Sequence, residues 1–103
     1  MDNIKVKIDK YIQDQEYTKA IDELTDYIER DIDVINCFML RGDVYYIKQE
    51  FAKALNDFNK VLKIDPENKS LNAKVEMIKD ILKFQALDIY SSTNLNKDPW
   101  LDD

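Results

Sequence analysis

Residues 35–68 read INCFMLRGDVYYIKQEFAKALNDFNKVLKIDPEN, and the chain is organised around this stretch because it is the second copy of a unit that fills residues 1–34. A shift of 34 residues, without a gap, superimposes seven identical pairs. They are Asp9 and Asp43, Tyr11 and Tyr45, Gln15 and Gln49, Glu16 and Glu50, Lys19 and Lys53, Ala20 and Ala54, and Asp31 and Asp65. A period of this length is typical of helical repeats. The sequence therefore predicts an internal duplication.

Each copy predicts a pair of helices joined by a short turn. In the second helix of each pair, the apolar residues fall at the i, i+3, i+4 and i+7 spacing that gives a helix one apolar face. These residues are Tyr17, Ala20, Ile21, Leu24, Tyr27 and Ile28 in the first copy, and Phe51, Ala54, Leu55, Phe58, Val61 and Leu62 in the second. Because Pro66 disfavours helical geometry at Asp65, the fourth helix should end near Ile64.

The first helices of the two copies differ in how apolar they are. We expect the first to run from Ile4 to Gln13, capped by Asp2 or Asn3. We expect the first helix of the second copy to run from Ile35 to Lys48, capped by Asp33. The second of these is apolar nearly all round, which indicates a helix buried between neighbours.

The second copy resembles a tetratricopeptide repeat, a helix-turn-helix unit of this period. The resemblance rests on Phe38, Arg41, Gly42, Tyr45, Ala54, Phe58, Asp65 and Pro66, with Tyr11, Ala20 and Leu24 as counterparts in the first copy. It implies an all-α, right-handed superhelical stack of antiparallel helix pairs, about five helices in total, that binds other proteins.

Two helix positions and both turns depart from the family's pattern, and Gly42 departs from ordinary helix composition. Two slots that hold small residues in the family are Ile8 and Tyr27 here, so either the first two helices sit further apart or Ile8 is not inside. The family's Gly-Asp turn is replaced by Gln-Glu in both copies, at residues 15–16 and 49–50, and we expect the turns still to form. Gly42 costs about 1 kcal/mol relative to Ala inside a helix, which indicates close approach of the fourth helix.

After the repeats, one long closing helix is predicted. The boundaries we assign are repeat one (1–34), repeat two (35–68), the closing helix (69–90) and an acidic C-terminal tail (91–103). The apolar stripe of the closing helix is Leu71, Val75, Ile78 and Leu82, and its further apolar residues are Met77, Ile81, Phe84 and Leu87. A terminal helix has no further repeat to cover such a surplus, so we expect Trp100 and Leu101 to dock on it, in the same chain or in a twofold-related copy.

Composition narrows the possible partners. A chain of 103 residues that is 45% hydrophobic and 35% charged is expected to be one soluble domain. Its net charge is −6, with 15 Lys and Arg scattered among 21 acids, so no basic stripe is expected to bind nucleic acid. The absence of a long apolar run or signal sequence disfavours a membrane partner and predicts a cytoplasmic location. The richness in Ile, Lys, Asn and Asp suggests a bacterial source.

Catalytic chemistry is disfavoured, and no cofactor or metal is expected. Histidine is absent, which removes the commonest general base and metal ligand. Cys37 has no Cys or His partner and stands among apolar residues, so we interpret it as an inert buried thiol. The acidic residues of the second helix, Asp22, Glu23, Asp26 and Glu29, are interpreted as a solvated helix face.

The resemblance implies a concave groove lined by the first helix of each pair. Its expected residues are Lys5, Asp9 and Ile12 in repeat one, Met39, Asp43 and Tyr46 in repeat two, and Met77 in the closing helix, with Asp2, Asn36, Ser70, Ala73 and Asp80 along the same edges. An apolar surface with an acidic edge suits an apolar peptide that carries Lys or Arg. The alternative is that these side chains are merely solvated or locally paired, with Asp9 and Asp43 repeating because the unit was duplicated.

Two other functions were weighed. Family members that clamp the carboxylate end of chaperone tails would need Lys, Asn, Asn, Lys and Arg at the positions of Lys5, Asp9, Leu40, Ser70 and Lys74. Only Lys5 matches, and Asp9 would repel a carboxylate, so this role is disfavoured. The main alternative to peptide binding is a structural unit that self-associates as a homodimer through the closing helix.

Overall fold

The computed structural model describes the backbone of residues 2–93 and the side chains of residues 4–87. The described chain forms five helices, and residues 2–93 contain no strand, which confirms the all-α class. The helices are α1 (Asp2–Gln13), α2 (Tyr17–Glu29), α3 (Val34–Ile47), α4 (Phe51–Ile64) and α5 (Lys69–Thr93).

The boundaries agree with the sequence pattern within two residues for α1, α3 and α4, but α5 is longer than expected. It reaches Thr93 instead of ending at residue 90. The sequence from 88 to 93 contains no Gly or Pro that would stop a helix. The predicted docking of Trp100 and Leu101 lies outside the described residues.

The two turns inside the repeats form as expected, although neither contains glycine. Gln15 and Gln49 adopt left-handed backbone conformations, with φ of 59° and 64°. The amides of Glu16 and Glu50 donate to the carbonyls five residues earlier, at 2.8 Å in each case. This is the hydrogen bond of a Schellman motif, which satisfies carbonyls left free at the end of a helix. Duplication has thus preserved a strained turn in both copies.

The turn between the repeats corrects one prediction. Asp33 occupies the position before α3, but its φ is 48° and its side chain makes no capping hydrogen bond. Its carboxylate instead accepts from the Asn36 side-chain amide at 3.0 Å. Asp33 is therefore not the side-chain cap expected from sequence, because its left-handed backbone differs from the extended geometry of a capping residue.

The core consists of two apolar clusters that share α3. The first is formed by Ile4, Ile8, Ala20, Leu24, Cys37 and Val44, and the second by Ala54, Phe58, Val61, Leu71, Val75 and Ile78. From α3, Leu40 packs against the first cluster, whereas Phe38 and Tyr45 pack against the second. This arrangement confirms that α3 is buried between neighbours and explains why its sequence is apolar nearly all round.

The helix pairs pack at different distances in the two repeats. Ile8 is fully buried, so the possibility that it points away from the core is wrong, and α1 and α2 approach less closely than α3 and α4. At Gly42, an added Cβ would lie 2.5 Å from the Phe58 ring. The packing reason for this glycine is therefore an aromatic side chain of α4, not the α4 backbone.

The positions by which α3 contacts its neighbours are solvent-exposed at their equivalents on the outer faces of the stack. Where α3 has Leu40 against the preceding repeat, α1 has Val6, which is 66% exposed. Where α3 presents an apolar face to α4, the corresponding residues of α5 are Asn72, Glu76 and Lys79, all exposed. The described stack thus ends in surfaces that water solvates.

Candidate functional site

A pocket of about 390 Å³ opens between α1 and α3, at one end of the predicted groove. It is lined by Ile4, Lys5, Asp33, Asn36, Met39, Leu40 and Asp43. Three of these side chains are apolar, two are carboxylates and one is cationic. We refer to this site as the α1–α3 pocket. Its mixture of an apolar lining with a few polar groups is typical of a binding site for a side chain or a short peptide segment.

The pocket brings together three of the seven residues predicted to line the groove. Lys5, Met39 and Asp43 line it, whereas Asp9, Ile12, Tyr46 and Met77 do not. Ile12 and Tyr46 are half-buried and pack on the first and second clusters, respectively. Met77 is 44% exposed on α5. The predicted surface is therefore divided into a pocket, two residues that mainly support the core, and two exposed residues, Asp9 and Met77.

Both carboxylates that repeat in the groove are paired within the chain. Asp43 accepts a hydrogen bond from Lys74 of α5 at 3.0 Å, and Asp9 accepts one from Lys5 at 3.4 Å. The local pairing weighed as an alternative is thus present at both positions. A cationic ligand at Asp43 would have to compete with the Lys74 ammonium group. The same pairs occupy Lys5 and Lys74, the two cations that this chain has at the positions of a carboxylate clamp.

Asp33 is different from these two carboxylates. Its side chain contacts the neutral Asn36 amide, and it forms no ion pair with the residues whose side chains are described. It lines the α1–α3 pocket without an ion pair to any described side chain, although Lys5 lines the same pocket. Sequence reasoning assigned Asp33 to a helix cap and so did not place it in the groove.

The bidentate ion pair between Arg41 and Asp57 was not predicted from the sequence. Arg41 of α3 donates to both carboxylate oxygens of Asp57 in α4, at 2.8 and 2.9 Å, and to the Thr25 hydroxyl of α2 at 2.9 Å. Donation of these hydrogen bonds to the Asp57 carboxylate raises the pKa of Arg41 above its ordinary value. One guanidinium therefore joins three helices.

The internal repeat contains the signal that could have revealed this contact. Lys7 and Glu23 occupy the positions of Arg41 and Asp57 in repeat one, and their side chains meet at 2.8 Å. Because the same acid and base spacing occurs in both copies, comparing charges across the predicted helix pairs would have identified an inter-helix ion pair. The hydrogen bond that Lys7 donates to Glu23 raises the pKa of Lys7 above its ordinary value of 10.5.

A second, smaller pocket of about 230 Å³ lies between α3 and α4 on the side that carries Arg41. Two lysines stand over aromatic rings near it. The Lys53 ammonium is 5.7 Å from the centre of the Tyr45 ring, and that of Lys60 is 5.4 Å from the centre of the Phe38 ring. Cations above aromatic faces are attracted by the ring quadrupole, so this side of the molecule collects positive charge.

The described residues offer little reactive chemistry. Cys37 is fully buried, and burial raises the pKa of its thiol above 9.0, so the thiol is protonated at neutral pH. Within residues 2–93, no three Cys, Asp or Glu side chains form a group that could hold a metal ion. None of the helices in the same part of the chain is long and apolar enough to cross a membrane.

Comparison with known proteins identifies the second repeat. The family model of the tetratricopeptide repeat matches residues 35–68, the same limits that the internal duplication assigns to the second copy. No solved structure gives a match to the chain. The match and the five-helix architecture agree with each other, since this repeat is a pair of antiparallel helices.

Proposed function

We propose that this chain, whose residues 35–68 match the tetratricopeptide repeat, is a non-catalytic interaction module. Its α1–α3 pocket binds an apolar peptide segment that carries a Lys or Arg. Proteins of this family generally bind other proteins and are non-catalytic. The partner is a protein, with no nucleic acid or membrane involved. The composition favours a bacterial protein that is located in the cytoplasm.

The observation that carries this proposal is the composition of the pocket. Ile4, Met39 and Leu40 supply an apolar lining for a side chain of the partner. Asp33 supplies a carboxylate that forms no ion pair with the described side chains and accepts only from the neutral Asn36 amide. An apolar side chain in the pocket, followed by a cation at Asp33, satisfies both features at once.

Substitutions in the Asp43–Lys74 pair test the proposal, because the two changes should alter peptide affinity in opposite directions. Asp43→Asn removes a carboxylate from the pocket, so it should weaken binding of a cationic peptide. Lys74→Met leaves Asp43 in place and frees it from its cation, so it should strengthen binding. A purely structural role for the pair predicts the same direction for both changes, because each breaks the same α3–α5 bridge.

The experiment begins with selection of peptides from a random display library on the whole chain. We expect enrichment of apolar residues beside Lys or Arg. Fluorescence anisotropy then compares a selected peptide with its Lys→Glu analogue against wild type, Asp33→Asn, Asp43→Asn and Lys74→Met. The matched control is Asp9→Asn, since Asp9 repeats Asp43 but does not line the pocket. Selection without a preference for cations, or equal binding by all variants, would refute the proposal.

Self-association through the closing helix is the second candidate. Its supporting observation is the exposure of two large apolar side chains on α5, Met77 at 44% and Phe84 at 67%. Exposed apolar surface of this kind often marks a contact site. If α5 forms a homodimer, Met77→Ser together with Phe84→Ser should turn a dimer into a monomer in sedimentation velocity without loss of helicity.

A further inference from the structure

The second helices of the two repeats are equivalent in sequence position but opposite in charge. α2 carries four acidic residues and one Lys, which gives a net charge of −3. α4 carries three Lys and one Asp, which gives +2. The single acid of α4, Asp57, is buried and bound by Arg41. The exposed surface of α4 therefore contains cations and no carboxylate.

The inversion is concentrated in one exposed stripe on each helix. Asp22, Asp26 and Glu29 lie at the i, i+4 and i+7 positions of α2, which share one helix face. Their equivalents in α4 are Asn56, Lys60 and Lys63. All six side chains are exposed, so packing of the core does not require either sign. We call these sets the acidic stripe and the basic stripe.

The two stripes lie side by side on the same side of α3. The guanidinium of Arg41 contacts Thr25 of α2 and Asp57 of α4 at once. A guanidinium is only a few ångström wide, so one flank of α2 and one flank of α4 both face Arg41, which bridges the gap between them. No Cα atom of α2 comes within 8 Å of a Cα atom of α4. Each helix is also antiparallel to α3, so the two stripes run in the same direction.

The chain does not neutralise one stripe with the other. Asp26 is bound by Arg30 of its own helix end at 3.0 Å, and the Lys60 ammonium lies over the Phe38 ring. Within residues 4–87 there is no ion pair between the acidic stripe and the basic stripe. A negative band and a positive band therefore face solvent together.

A nucleic acid is a poor occupant for this surface, because a strand on the basic stripe would bring further phosphates over the acidic stripe beside it. The complementary surface is a positive band next to a negative band in the reverse order. A second copy of this chain presents the reverse order when a twofold rotation turns it over onto the first copy. The axis of that rotation lies in the plane of the two stripes and runs parallel to the helices. A twofold axis across the helices would instead place like charges together.

We propose that the protein forms a twofold dimer in which the acidic stripe of each copy lies on the basic stripe of the other. Such an interface is isologous, so each pair of stripes is used twice. Because its attraction comes from exposed charges, it is weak and sensitive to salt, and charge complementarity fixes its geometry. The dimer involves neither the α1–α3 pocket nor the exposed apolar residues of α5.

The test uses charge reversal on the full chain, followed by sedimentation equilibrium at low and high salt. Lys60→Asp with Lys63→Glu makes both stripes acidic, and Asp26→Lys with Glu29→Lys makes both basic. Each variant alone should be monomeric. An equimolar mixture should dimerise, since each copy then offers what the other lacks. Both variants remain net acidic, so overall charge cannot drive the mixing.

The control carries the same change in net charge elsewhere. Lys10→Glu with Lys79→Glu reverses two exposed lysines outside the stripes and should associate like wild type. For wild type, the association constant should fall by roughly tenfold or more between about 0.05 M and about 0.5 M salt, because the screening length shortens severalfold.

Two results would overturn the proposal. One is a wild-type chain that stays monomeric at low salt and millimolar concentration. The other is association that survives both charge-reversal variants, including association lost only on Met77→Ser with Phe84→Ser, which would assign the contact to α5. Circular dichroism of each variant confirms that helicity is retained.

Discussion

Repeat one and repeat two pack the same pair of helices with different side-chain volumes. In repeat one, Ile8 and Leu24 are both fully buried between α1 and α2. In repeat two, the equivalent positions are Gly42 and Phe58, and the ring lies where a Cβ of residue 42 would be. The glycine lets α3 and α4 come close around one aromatic ring, whereas two aliphatic side chains hold α1 and α2 further apart.

The same comparison applies to the ion pair that each repeat contains. The side chains of Lys7 and Glu23 are 51% and 29% exposed, whereas those of Arg41 and Asp57 are 16% and 3% exposed. Arg41 is covered because it lies between α2 and α4, and Lys7 has no preceding repeat beside it in the described structure. The duplicated ion pair is therefore exposed to water in repeat one and buried in repeat two. Its contribution to the free energy of unfolding should differ between the repeats.

The largest expected effect is at the aromatic side of repeat two. Phe58→Ala should lower the free energy of unfolding by about 3 to 5 kcal/mol, because it removes a fully buried ring and leaves a cavity. That is a large part of the roughly 5 to 15 kcal/mol typical of a domain. Urea denaturation followed by circular dichroism measures it. Phe84→Ala is the matched control, since Phe84 is exposed and its loss should change stability by about 0.5 kcal/mol or less.

The two ion pairs should respond unequally to loss of the cation. Arg41→Met leaves the buried Asp57 carboxylate unpaired and should cost about 3 kcal/mol, whereas Lys7→Met should cost much less because its ion pair is exposed to water. Replacing both members, Arg41→Met with Asp57→Leu, should recover much of the loss because no buried charge is left. Equal costs in the two repeats, measured by the same denaturation, would contradict the difference in burial.

The close approach at Gly42 predicts an effect of intermediate size. Gly42→Ala should destabilise the protein by about 1 to 3 kcal/mol, since the clash with Phe58 outweighs the roughly 1 kcal/mol gained in helix propensity. Adding Phe58→Leu, the aliphatic choice of repeat one, should relieve the clash. In a double-mutant cycle the pair should therefore cost less than the sum of the single changes, by at least about 0.5 kcal/mol. Simple additivity would show that the ring does not press on position 42.

A smaller, stabilising effect is expected at the turn that both repeats share. Gln15→Gly and Gln49→Gly should each raise stability, by up to about 1 kcal/mol, because glycine adopts the left-handed conformation without a Cβ penalty. The effects should add, since the two turns are separate. Gln13→Gly, at a helical position, is the control and should destabilise. Thermal melts that shift downward for the turn variants would argue against the strained geometry.

The smallest effect concerns a carboxylate at the second turn. A hydrogen bond from Lys48 holds the pKa of Glu50 below its ordinary value of 4.5, and repeat one has Asp14 in place of that lysine. A lowered folded-state pKa means that Glu50 stabilises the fold above its ordinary value and loses this contribution as pH falls through the folded value. Glu50→Gln should therefore flatten the acid side of the stability profile. NMR titration of the Glu50 side chain gives the direction directly, and a pKa at or above 4.5 would exclude it.

The sequence by itself determined the helical class, the repeat period and the helix boundaries to within a few residues. These properties depend on neighbours along the chain, because apolar residues at helical spacing define a face wherever the helix packs. The sequence also indicated close helix packing at Gly42 and turns without glycine at Gln15 and Gln49. The sequence did not show which aromatic ring packs on Gly42, since that ring belongs to another helix.

Only the tertiary structure decided which charges are available for binding. Asp43 belonged to the predicted groove, but its partner Lys74 is 31 residues away in the chain. Arg41 was recognised only as part of a motif, although it joins α2, α3 and α4. Such pairings depend on how far the helices are apart and how they are rotated, and both are fixed by the packing of Ile8, Gly42 and other buried residues. A charge pattern read along one helix contains no information about the helix that comes to lie beside it.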